Sequence, residues 1–179
     1  MAKTIKKVDS KNIISGPCRS FKLGEREVGG TEEGVEVEFG QEFEEHAVDE
    51  STDAIMLEPT STQMIIKTSF AEATLENLKV AWNQASAIVA DPTAKTETLN
   101  IGINAPVIEY PLEFIGPGPA GKERTYKVHR AIQMSASSHS VRKGNKVVFP
   151  VEFRVLPKTD LPENQQYGSV TDKVITEGA

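Results

Sequence analysis

Gly30-Thr-Glu-Glu-Gly-Val-Glu-Val-Glu-Phe39 decides the fold, because its last five residues alternate strictly between apolar and acidic. Val35, Val37 and Phe39 fall on one face and Glu36 and Glu38 on the other, the pattern of a strand with one face on a core and one in water. Residues 41–48 keep a weaker alternation, with Glu42, Glu44 and His46 opposite Phe43 and Ala47. Gly40 is placed to bend or bulge the run between them. A short strand at 54–57 and another at 63–68 are expected on either side of the turn-like Pro59-Thr60-Ser61.

Past this stretch the period changes. Ala71, Leu75, Leu78, Trp82, Ala85 and Val89 recur at spacings of three and four, one apolar stripe on a helix over about residues 70–89. Ser69 and Glu72 form an S-x-x-E capping box at its start, and Asp91-Pro92 ends it. Leu75, Leu78 and Trp82 are the expected docking residues.

After the helix the period returns to two. Leu99, Ile101 and Ile103 alternate, then Ile108, Tyr110, Leu112 and Phe114, and finally Val147, Phe149, Val151, Phe153 and Val155. A further strand at 126–134 should place Val128 and Ile132 on its apolar side, with Lys127, His129 and Gln133 on the other. Asn104-Ala105-Pro106, the loop 116–121 and Lys143-Gly144-Asn145 read as turns. The expectation is a mainly β (α+β) fold, an antiparallel β-sandwich or barrel-like domain over 16–156 with one flanking α-helix. Polar stretches at 1–15 and 157–179 read as terminal arms.

Length and composition agree with one domain: 179 residues, 38% hydrophobic and 26% charged. The single cysteine, Cys18, excludes an intrachain disulfide framework. No apolar run approaches the ~18 residues of a bilayer span, and no signal-peptide core follows the basic N-terminus, so the expectation is a protein without a membrane partner.

The net charge of −6 hides two opposite poles. Thirteen acidic residues stand against Arg26 alone between Glu25 and Glu58, and seven basic residues against Glu123 alone between Lys122 and Lys146. The basic set is Lys122, Arg124, Lys127, Arg130, Arg142, Lys143 and Lys146. Such blocks are either solvated faces or complementary surfaces that orient copies of one subunit. Nucleic-acid binding by the basic set is disfavoured by the overall acidity and by the lack of interleaved aromatics.

Sites for chemistry are not evident. Gly116-Pro-Gly-Pro-Ala-Gly-Lys122 formally matches seven positions of a phosphate-binding loop. However, Pro117 and Pro119 lack the N–H groups of the cradle, and Glu123 stands where a Ser or Thr is needed. Glu44, Glu45, His46, Asp49, Glu50 and Asp53 lack the ligand spacing and central glycine of a calcium loop. His46, His129 and His139 fall in no H-E-x-x-H pattern, and no G-x-S-x-G is present. No catalytic, cofactor or metal residue is expected.

From Gly16-Pro-Cys-Arg19 through Gly30–Phe39, again at Ser69-Phe-Ala-Glu-Ala-Thr-Leu-Glu-Asn-Leu78, and at Phe149-Pro-Val-Glu-Phe-Arg-Val155, the chain resembles the tail tube (major tail) proteins of bacteriophages. The likeness spans most of residues 16–156. It implies a non-enzymatic structural subunit, made in the host cytoplasm and carried in the virion tail. Hexameric rings would stack into a tube that conducts DNA, without specific binding, during genome ejection. The implied partners are copies of itself and other tail proteins: sheath or terminator, and tape measure. A tube protein of a bacterial contractile injection or secretion system shares the fold class. A small adhesive or carbohydrate-binding sandwich is the third reading, although it calls for exposed aromatics and Trp82 lies on the helix stripe.

Within this frame the basic set is the candidate subunit interface, and Glu36, Glu38, Glu42 and Glu44 are candidates to face the lumen, where a wall that repels phosphate eases DNA passage. Alternation shows which residues share a face, not whether that face looks into a channel or outward.

Overall fold

The computed structural model describes residues 9–47, 53, 55–103 and 107–175. The expected turn at 104–106, Asp49 and Glu50 of the acidic loop, Ala54 at the start of an expected strand, and the extreme termini lie outside the described residues.

Eight described strands form one antiparallel sheet: β1 Ser20–Leu23, β2 Arg26–Glu27, β3 Thr31–His46, β4 Met56–Phe70, β7 Glu109–Pro117, β8 Lys122–Gln133, β9 Phe149–Val155 and β10 Gly168–Val174. Its order is β2-β1-β7-β8-β9-β4-β3, with β10 paired to β8 beside β9. A separate hairpin consists of β5 Ile88–Asp91 and β6 Thr96–Leu99, and the one described α-helix is α1 Leu75–Ala81. The fold is thus mainly β and antiparallel, as the alternation demands.

The core lies under the alternating faces. Phe21, Phe70 and Phe153 are fully buried, with Ile66, Leu112, Phe114, Val128, Val151 and Val155 around them. Although β1 and β4 are far apart in strand order, the Phe21 and Phe70 rings meet at 6.0 Å between centroids. The sheet therefore curls so that its two wings face each other. Each buried Phe contributes roughly 1.5–3 kcal/mol by leaving water, which makes this cluster the main stabilising element.

The long hairpin corrects two sequence expectations. Gly40 does not interrupt β3, which runs unbroken to His46, and Pro59-Thr60-Ser61 is not a turn but lies within the first half of β4. Glu42 pairs Ser61 and Phe43 pairs Pro59, so Thr60 is an extra residue bulged out of β4. Proline is tolerated there because β9 pairs β4 only over Ile65–Phe70, which leaves Pro59 on an open edge. A second irregularity leaves Glu33 and Gly34, both at positive φ, without partners between Glu32 and Val35.

The helix is seven residues, not twenty. Its cap is Thr74, whose hydroxyl accepts from the Asn77 N–H at 3.2 Å, while Ser69 belongs to β4. Glu72 instead accepts from the Gly30 N–H at 3.3 Å. The end is fixed by a Schellman motif: Gln84 N–H donates to Lys79 O at 2.9 Å and Asn83 N–H to Val80 O at 3.0 Å, with Asn83 in the left-handed region at φ 51°. The supposed stripe breaks accordingly. Val89 lies exposed in β5, and Asp91 accepts from the Thr93 and Ala94 N–H groups to turn β5 into β6. Asn77, Val80 and Ala81 are the buried helix residues; Leu78 and Trp82 pack partly buried against the core, and Leu75 is only half-buried.

In β8, Tyr110 pairs Ala131 and Leu112 pairs Val128, so β8 carries one extra residue between them. That bulge inverts the alternation: Gln133 is buried and Ile132 faces away from the core, the reverse of the simple pattern. Gln133 is accommodated because its amide donates to Ala81 O and Ser135 O at 3.0 Å and accepts from Glu152 N–H at 3.1 Å. Ile101 and Ile103, expected in a strand, follow β6 and are exposed.

Beyond Leu156 the chain, read as an arm, returns to the sheet. Its β10 pairs β8 from Gly168↔Val128 to Val174↔Lys122. The start requires glycine: Gly168 has φ 151°, and a Cβ there would fall 1.9 Å from Lys127 O.

Candidate functional site

Because β3 is continuous, Glu36, Glu38, Glu42 and Glu44 share one face, opposite Val35, Val37, Phe39 and Phe43. They stand on the outer face of the curled sheet. Glu38 receives a charge-assisted bond from Lys67, and that bond raises the Lys67 pKa. Glu42 accepts from the Ser61 hydroxyl at 2.9 Å. Glu44 pairs directly across from Glu58, a like-charge pair that is unfavourable in a free sheet. His46 Nε2 lies 3.3 Å from the Glu58 carboxylate on the same face.

The basic set does not form one patch. Arg124 makes two bonds to Asp172 at 2.6 and 2.8 Å, Arg130 two to Glu109 at 2.7 Å, Lys127 lies 2.9 Å from Glu113, and Lys146 2.7 Å from Glu32. These pairs hold Asp172 and Glu109 below the ordinary carboxylate range and raise both guanidinium values, hydrogen bonding being the largest cause. Arg130 also donates to Pro157 O at 2.9 Å, anchoring the chain that leads to β10. Lys122, Arg142 and Lys143 are left with no ion pair among the described residues.

Register divides these three. Phe149 pairs Phe70 at the base of the long hairpin, so the segment that enters β9, with Arg142 and Lys143, lies at that base. Glu44, Glu45 and Glu58 lie at the other end of the same strands, where His46 pairs Met56. Lys122 opens β8 at this second end, because β8 reaches β9 only through Ala131–Gln133. Glu44 and Glu45, with no ion pair among the described residues, and the Arg142-Lys143 turn therefore occupy opposite ends of the sheet. Among the described residues no group of three or more His, Cys, Asp or Glu side chains is arranged to hold a metal ion, and no helix is long and apolar enough to cross a membrane.

Sequence reading missed one surface. Past β9, the hairpin has no strand beside β4 and no core beneath it among the described residues, so the apolar face of β3 and β4 emerges into solvent: Phe39 is 60%, Phe43 52% and Leu57 59% exposed. Phe39 is covered only in part, edge-on by Tyr167, whose hydroxyl donates to Thr62 O at 2.8 Å. The signal was the length of the alternation: sixteen residues of β3 against seven of β9 leave strand with nothing to cover it. No protein-family model matches the chain, and no curated protein matches it. The helix residues, by contrast, are structural: Trp82 stacks on His139 at 5.6 Å, and His139 meets Phe149 edge-on at 4.9 Å.

Proposed function

We propose that the chain is the structural subunit of a phage tail tube, in which copies associate into rings and the rings stack head to tail around a channel for DNA. The observation that carries this reading is the free half of the β3–β4 hairpin. It exposes an apolar stripe on one face, carboxylates on the other, and an unpaired backbone edge along β3. A monomer manages such edges by shortening or covering them, whereas this one is long and open. The carboxylates Glu44, Glu45 and Glu58 at one end and the Arg142-Lys143 turn at the other support head-to-tail stacking, because heterologous contacts between unlike surfaces propagate. The outward row Glu36, Glu38, Glu42 and Glu44 suits a wall that repels DNA phosphates. No reaction is assigned to the subunit.

Negative-stain microscopy of the concentrated protein tests the reading directly: rings or tubes are expected, and uniform monomers would sink it. Arg142→Glu with Lys143→Glu should block stacking without altering circular dichroism. Normal polymerisation of that variant at low salt, where exposed charges act over roughly 10 Å or more, would remove both residues from the contact. Lysine at all four positions 36, 38, 42 and 44 should still permit tubes but slow genome ejection; ejection at the normal rate would place this face elsewhere.

A further inference from the structure

The turn between β7 and β8, rejected above as a phosphate loop, forms one wall of a pocket whose other wall is the segment Ser10–Ser15. The pocket has a volume of about 540 Å³. Three cationic side chains line it: Lys11, Arg19 and Lys122. Arg19 spends one nitrogen on Glu123 at 2.6 Å, and Lys11 and Lys122 have no ion pair among the described residues. The remaining lining includes the apolar Ile13, Ile14 and Pro117, with Ile13 68% exposed. A small inorganic anion would leave these apolar walls uncovered. An acidic peptide with neighbouring large apolar side chains would use both kinds of wall.

This chain carries such a segment. At the free end of the β3–β4 hairpin, Glu45 pairs Leu57 on the face that carries exposed Phe43, with Glu44 and Glu58 paired on the opposite face. We propose that the pocket of Lys11, Arg19 and Lys122 receives the acidic hairpin end of a second copy. Pocket and hairpin end lie toward the same end of the sheet, since Pro117 pairs Glu123 at the start of β8 and His46 pairs Met56 at the hairpin end. Contact between them joins lateral neighbours at one level. The assignment rests on the self-association proposed above, but not on its product being a tube.

The test is a charge swap in the full chain, read by sedimentation velocity and microscopy. Lys11→Glu with Lys122→Glu should weaken lateral self-association about tenfold or more, as expected when two attractive exposed pairs become repulsive. Glu44→Lys with Glu45→Lys should do the same, and mixing the two variants should restore association. Wild-type protein that forms discrete oligomers but no tubes, with the swap behaving as described, would keep this contact while ending the tube reading. Tubes from wild type and from the pocket variant alike would overturn the contact and leave the tube reading standing, and monomers throughout would overturn both. Binding of a DNA duplex that the pocket variant abolishes, with self-association unchanged, would reassign the pocket to a phosphate ligand.

Discussion

The two halves of the β3–β4 hairpin have nearly the same composition pattern and opposite fates. At the base, Val35 and Val37 pack on a core formed with Ile66, Phe70 and Phe153, and β9 closes the other edge of β4. Beyond Ile65 the same alternation continues into open solvent, with Phe39 and Phe43 exposed. Alternation therefore specifies an amphipathic ribbon and not its cover. What buries an apolar face is the length of the neighbouring strands, and in the free half no described strand supplies that cover.

The sharpest contrast should be seen by truncating a phenylalanine in each half. Phe153→Ala, in the base, removes a ring in contact with Phe21, Phe70 and Tyr110 and should destabilise the subunit by about 3–5 kcal/mol in thermal or urea unfolding. A loss under about 1 kcal/mol would mean that the core repacks around the vacancy. Asn77→Ala comes next, at about 2–3 kcal/mol. Asn77 is 1% exposed, donates to Val28 O at 2.8 Å and Glu72 O at 2.9 Å, and accepts from Arg26 at 2.7 Å, so its loss strands buried partners. Unfolding midpoints equal to wild type would show that water replaces it.

In the free half, Phe43→Ser with Leu57→Ser should change monomer stability by no more than about 0.5 kcal/mol, as surface substitutions do, while abolishing assembly. Coincident loss of both would show that this half belongs to the monomer core after all.

The smallest effect is expected from acid. Asp172 and Glu109 sit below their ordinary values because Arg124 and Arg130 bond to the ionised forms. Their contribution is present above the unfolded carboxylate pKa and is lost as pH falls through the lower folded value, so β10 should loosen below about pH 4. Amide protection across residues 168–174, corrected for intrinsic exchange, should fall there. Asp172→Asn should abolish most of that response, and an unchanged response would locate the titration elsewhere.

Much of this molecule is legible in the sequence wherever strict alternation runs beneath a partner. The faces of β3, β7 and β9 follow directly from their residues. Two failures share a cause: single residues that change periodicity without a composition signal. One extra residue in β8 buries Gln133 in place of Ile132, and one left-handed Asn83 ends the helix and sends Val89 into a strand. The sign of each charge pole could be read, but not its neutralisation, because Glu32, Glu109, Glu113 and Asp172 come from distant segments that only the folded sheet brings beside the basic residues. The Lys11 pocket was equally hidden, built as it is from two segments about a hundred residues apart.

The unpaired Thr60 has a consequence for the free chain. A free strand edge next to exposed Phe43 and Leu57 is a template on which identical chains can zip together without limit. Uniform spacing of donors and acceptors is what such growth requires, and the extra residue beside Pro59 breaks that spacing midway along the open edge. The bulge thus interrupts the regular edge on which fibrils would be seeded, while Phe43 and Leu57 beside it stay exposed.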